Sequence, residues 1–161
     1  MFVLPEITTG SERLLLEAMM DRQRRAVADT ARGLSETDVR QRLVASLTTP
    51  IGLVKHVAMA ERRWFQGLLL GLGESECDGP TTPGDASFVV DDSETLEDVV
   101  AELERASARS REIAARFELD DTWTHDVLGE VNLRFVYLLL IEDFARHAGH
   151  SDILREQLTA R

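Results

Sequence analysis

Glu142-Asp143-Phe144-Ala145-Arg146-His147-Ala148-Gly149-His150 is a charged stretch set between apolar ones. Phe135 to Ile141 precede it without a charge, and Ser151-Asp152-Ile153-Leu154 follow it. At 100° per residue, Leu133, Val136, Leu140, Asp143, His147, His150 and Leu154 fall on one stripe of a single long helix. A stripe that is apolar at both ends faces a core, yet the middle of this one carries a carboxylate and two imidazoles. Asp143 and His147 are four residues apart and stack on one face. Polar groups buried there without partners are costly. A divalent metal ion is one candidate for the partner.

Working outward, the chain of 161 residues suits a single domain over residues 1–161 with a sizeable core. A net charge of -11 argues against a nucleic-acid partner, which needs clustered Lys and Arg, and against anionic membranes. No apolar run approaches the roughly 20 residues of a membrane span, and no signal peptide is evident at the N-terminus. Cys77 is the only cysteine, which fits a reducing, cytoplasmic setting.

Helix signals recur along the chain. Ser11 or Thr9 caps a first helix that ends near Gly33, with Leu15, Ala18, Met19, Arg22, Ala26 and Val27 as its expected core face. Residues 1–10 read as an extended lead-in, with Pro5 and Gly10 as breakers. Ser35, three residues before Asp38, opens a short helix to about Leu43. Thr49-Pro50 starts a helix to about Leu70, with Leu53, Val57, Ala60, Trp64 and Leu68 as its stripe. Residues 71–92, rich in Gly and Pro, form one long loop from which Phe88-Val89-Val90 docks back. Thr95 caps a helix to about Glu118, and Asn132 caps the last, to about Leu158. Between them lies a linker with a short extended piece at Trp123. Four long helices with no strand pattern predict an all-α four-helix bundle with long connections and one or two short extra helices.

The candidate metal set is His56, Asp143 and His147. Two come from the last helix, and His56, at the edge of another apolar stripe, supplies the third. Two imidazoles and a carboxylate suit zinc foremost, and also nickel, iron, cobalt or manganese. Three protein ligands would leave a coordination position for substrate. Plainer readings stand beside this one. His56 also fits a satisfied core histidine, and Asp143 a helix ion pair with Arg146. His150 fits a capping residue or one facing substrate, Glu142 is the alternate carboxylate, and His125 reads as surface.

Two stretches resemble a known family. Gly52-Leu53-Val54-Lys55-His56-Val57-Ala58-Met59-Ala60-Glu61-Arg62-Arg63-Trp64-Phe65 is similar to the second-helix motif of the DinB-like superfamily. Ile141 to Leu154 resembles its last-helix motif, most of all in the actinobacterial branch akin to mycothiol-dependent transferases and maleylpyruvate isomerase. The resemblance implies a four-helix bundle, often a homodimer, with a divalent metal held at His56, Asp143 and His147. Asp143 stands where relatives carry His or Glu, and Leu139 lies near the position where some carry a further His. The implied reaction joins a low-molecular-weight thiol, such as mycothiol, to a small electrophile, as an S-transferase or isomerase. Arg146, His150 and Trp64 are then candidates for positioning thiol or electrophile. The competing reading is a non-catalytic, stress-related bundle that binds metal or a partner.

Overall fold

Every expected N-cap forms. In the computed structural model, which describes residues 6–160, Ser11 accepts from the Leu14 amide and opens α1, Glu12–Ala31. Ser35 accepts from Asp38 and opens the single turn α2, Glu36–Val39. Thr49 accepts from Gly52 and opens α3, Pro50–Glu61. Thr95 and Asp98 cap each other at the start of α4, Leu96–Ala114. Asn132 accepts from Phe135 and opens α5, Leu133–Thr159. Each such cap satisfies an amide that the helix itself cannot, and contributes about 1 kcal/mol. The expected breaker Pro5 lies outside the described residues.

The four long helices form an all-α bundle in which α1 packs chiefly on α5 and α3 chiefly on α4. Helix α3 also packs on α1 and α5. It is consequently buried nearly all round, from Pro50 to Glu61 with only His56 half-buried. The one-sided stripe expected for it is therefore too narrow. In α1 the expected face is rotated by one residue. The buried set is Met20, Gln23, Arg24, Val27, Ala28 and Ala31, while Leu15, Ala18, Met19 and Arg22 are half-buried. The inward turn of Arg24 sets that phase, and its reason is a carboxylate on α3 described below.

Past Glu61 the helix continues, but with the wider π geometry, over Arg62–Leu69. Such widened turns change which residues face inward and occur often at functional sites. The 71–92 segment is not one open loop. Short 3₁₀ turns form at Glu74–Glu76 and Gly84–Phe88. Two glycines let it lie close to the bundle. A Cβ on Gly79 would stand 2.5 Å from the Arg62 guanidinium carbon, and one on Gly52 would stand 2.6 Å from the Phe88 carbonyl oxygen. A glycine inside a helix costs about 1 kcal/mol relative to alanine. Here Gly52 brings the second 3₁₀ turn against α3, one helical turn before His56.

The linker after α4 holds the one antiparallel hairpin among the described residues, β1 (Thr122–His125) and β2 (Gly129–Asn132). The extended piece at Trp123 is half of it. Its anchor is tertiary: the Trp123 indole N–H donates to the Leu69 carbonyl at 3.1 Å, at the end of the π segment.

Candidate functional site

His56 projects from α3, and Asp143 and His147 project from α5 one turn apart. Helix packing brings one candidate ligating atom of each to within 4.8 Å of the others. His56 Nε2 stands 3.3 Å from Asp143 Oδ2, and His147 Nε2 stands 3.4 Å from Asp143 Oδ1. A charge-assisted N–H···O bond measures about 2.7–2.9 Å, so the three groups surround a point without closing on one another. Asp143 is short, but it reaches both rings. The plainer reading, a pair with Arg146, does not form, because Arg146 donates to Glu142 at 2.9 Å.

The proton on His56 can be placed. The Ser87 hydroxyl has one hydrogen, and Gly84 O, 2.5 Å away, can only accept. Ser87 Oγ therefore donates to Gly84 and accepts from His56 Nδ1–H at 2.7 Å. A neutral His56 then points the lone pair of Nε2 at the Asp143 carboxylate. Two acceptors 3.3 Å apart repel unless a cation lies between them. His147 is 9% exposed, and its Nδ1 is buried with no hydrogen-bond partner among the described residues. Two ligands at the 2.0–2.1 Å typical of a tetrahedral ion stand about 3.4 Å apart. The donor types, the fixed tautomer and the two carboxylate–imidazole separations thus fit a divalent ion.

Phe88 lies flat on His56, with ring centroids 4.3 Å apart and planes 4° apart, and also contacts the His147 ring. Burial pushes the Asp143 carboxyl up, but in the metal-free site donation from the His147 and His56 rings, when their Nε2 atoms carry protons, outweighs it and holds the carboxyl well below the usual range.

Beside this cluster opens a cleft of about 220 Å³, lined among others by His56, Arg63, Trp64 and Asp143. Trp64 forms its wall and stacks on His125 at 5.1 Å between centroids. His125, expected as plain surface, is half-buried and accepts from the amides of Val127 and Leu128 at the hairpin turn. Arg146 is on the cleft rim, exposed and paired to Glu142. His150 is exposed, and its ring lies 5.7 Å from that of His147, beside an apolar groove with Val44, Ile153 and Leu154. Sequence reasoning missed Ser87, which arrives from a distant turn, and Arg63, which residue type and spacing do not set apart from its neighbour Arg62. Gly52, a glycine inside an otherwise strong helix, was the one signal that something packs closely there.

A family model described as mycothiol-S-transferase matches residues 15–160. The chain belongs to the mycothiol-S-transferase family. The match supports the DinB-like resemblance carried by the motifs around His56 and His147. A crystal structure described as the conserved protein of locus from Enterococcus faecalis shares the fold, with a TM-score of 0.67 at 15% identity. The alignment covers 95% of this chain and 100% of that one. No curated protein matches this member of the mycothiol-S-transferase family. Among its described residues no helix is long and apolar enough to cross a membrane.

Proposed function

We propose that this protein is a divalent-metal-dependent S-transferase that joins a low-molecular-weight thiol of the mycothiol type to a small electrophile. Family membership supports the class of reaction. The observation that carries the metal is the convergence of the His56 Nε2 lone pair, the Asp143 carboxylate and the His147 ring on one point. The residues that would hold the ion are His56, Asp143 and His147, with zinc the best match to the donor set and nickel, iron or manganese also compatible. Such an ion supplies Lewis acidity that lowers a thiol pKa and raises the thiolate fraction near neutral pH.

The chain's own groups do the rest. Ser87 keeps His56 in the tautomer that offers Nε2. Orienting hydrogen bonds of this kind from outside the ligand set tune metal sites strongly. Asp143, ionised well below neutral pH, contributes the negative charge that offsets the dication. Phe88 covers one face of His56 and keeps water from it. Trp64 and the hairpin behind it wall the cleft in which the electrophile would meet the thiol. The new bond is sulfur to carbon; in a displacement the leaving group departs with its electron pair and the thiol proton passes to solvent, and in an addition the C=C π bond breaks and the adjacent carbon takes up a proton.

The test is elemental analysis of untagged protein, followed by conjugation of mycothiol to a bimane or maleimide. About one divalent ion per chain, lost in both His56→Ala and His147→Ala, with thiol transfer that depends on it, is the expected result. A wild type that takes up neither zinc, nickel nor manganese would sink the metal. Metal without thiol transfer would leave a binding protein in place of an enzyme.

A further inference from the structure

We propose that Arg63 recognises an anionic group, a carboxylate or one of like size, on the small molecule that reacts in the cleft. The inference rests on the S-transferase reading for the chemistry and on the following observations for the site. Arg63 lines the cleft together with His56, Trp64 and Asp143. It is half-buried, yet among the described residues it forms no hydrogen bond or ion pair, and Asp143 acts on it only through its charge. Among the described residues, every other arginine that is not exposed is held. Its neighbour Arg62 is buried and bound by Asp78 and Glu102. Arg24 is bound by Glu61, Arg134 by Glu12, and Arg155 by two backbone carbonyls. The second arginine of the cleft, Arg146, is occupied by Glu142.

A guanidinium withdrawn from water without a partner is costly, and its planar fork matches a carboxylate in a bidentate pair. The protein as a whole carries a net charge of -11 and repels anions at a distance. Within the cleft the balance differs. Asp143 and Arg63 cancel, Glu142 and Arg146 cancel, and a bound dication leaves the cleft positive. Arg63 is then the side chain free to orient an anion beside the reacting atoms. Two adjacent arginines thus take different roles, one locked into the core and one left open to the cleft.

The anion could be on the electrophile or on the thiol, and two probe pairs of matched shape separate these. One is 3-maleimidopropionate against N-ethylmaleimide with a fixed thiol. The other is 3-mercaptopropionate against 2-mercaptoethanol with a fixed electrophile. With metal-replete protein at low salt, the anionic member of one pair is expected to have at least a tenfold higher kcat/KM. That ratio should fall at least fivefold in Arg63→Gln and less in Arg63→Lys. Equal ratios in the wild type, or a ratio that survives in Arg63→Gln, would overturn the proposal.

Calorimetric titration with unreactive 3-succinimidopropionate and 3-(methylthio)propionate gives a readout free of turnover. Wild type should bind one of them at least tenfold more tightly than Arg63→Gln does, with the Tm of the two proteins alike because Arg63 holds nothing in place. If the protein transfers no thiol, this titration still decides. Binding lost in Arg63→Gln upholds the anion site without the reaction, and indifferent binding removes it.

Discussion

Helix α3 carries two buried polar clusters little more than a turn apart, and they are built differently. At Glu61, the two carboxylate oxygens receive Arg24 Nε at 2.6 Å and Nη2 at 2.7 Å, and the Ser107 hydroxyl donates at 2.8 Å. Beside it, Arg62 is bound by Glu102 and Asp78, and Glu102 also meets Lys55 at 3.3 Å. Lys55, the only lysine, is paired with Glu94 as well. These charges are closed on one another. At His56 the carboxylate and the two imidazoles stand farther apart, and a ring nitrogen of His147 has no partner. Burial of charge is thus a poor mark of function in this molecule. The useful mark is a set of ligand-type side chains that the fold brings together without closing them on one another.

Breaking the closed cluster should have the largest effect. Glu61→Ala leaves the buried Arg24 guanidinium with Asp21 alone and the Ser107 hydroxyl without its acceptor, and is expected to cost about 3 kcal/mol in urea unfolding. A loss below about 1 kcal/mol would show that the cluster does not need to be closed. The open cluster should respond in ligand affinity more than in stability. Ser87→Ala removes the acceptor that fixes the His56 tautomer. Metal affinity, measured by competition with a chelator, should fall about 10–100-fold, while unfolding of the metal-free protein changes little.

Asp143→Asn probes the same cluster by pH. The folded carboxyl is held below its unfolded pKa of about 3.9. Its contribution is therefore present above that pKa and is lost as pH falls through the folded value. In metal-free protein the gap between wild type and variant should be about 1 kcal/mol above pH 5, and should shrink as the pH drops below about 4. A gap that widens on acidification would show that the carboxylate is not favoured by the two rings. The smallest effect belongs to Arg146→Gln. Its partner Glu142 is 69% exposed, and such pairs are worth about 0.5 kcal/mol or less. A Tm shift of several degrees there would mean that the rim of the cleft is built more tightly than its exposure implies.

Much of the fold was legible from local chemistry. Ser11, Ser35, Thr49, Thr95 and Asn132 each satisfy amides within their own first turn, so their role needs only nearest neighbours in sequence. The spacing of Asp143 and His147 is likewise a property of one helix. The hairpin was half legible. Its residues are too few for a periodic signal, and the contacts of Trp123 with Leu69 and of His125 with Trp64 cross from one element to another. The α1 face was misread by one residue because Arg24, polar by type, turns inward to a carboxylate on α3. No pattern within α1 contains that partner.

By itself, then, the sequence determined where the helices begin, that they form a bundle, and that Asp143 and His147 share one face of the last helix. These are decided by hydrogen bonds within a turn and by periodicity along one helix. The tertiary structure alone decided which polar groups are closed and which stay open. It chose Glu142 for Arg146, brought Ser87 to His56 across the gap that Gly52 leaves, and left Arg63 in the cleft without an ion pair among the described residues. Those outcomes depend on distances between helices, where a shift of one ångström separates a formed hydrogen bond from an open one.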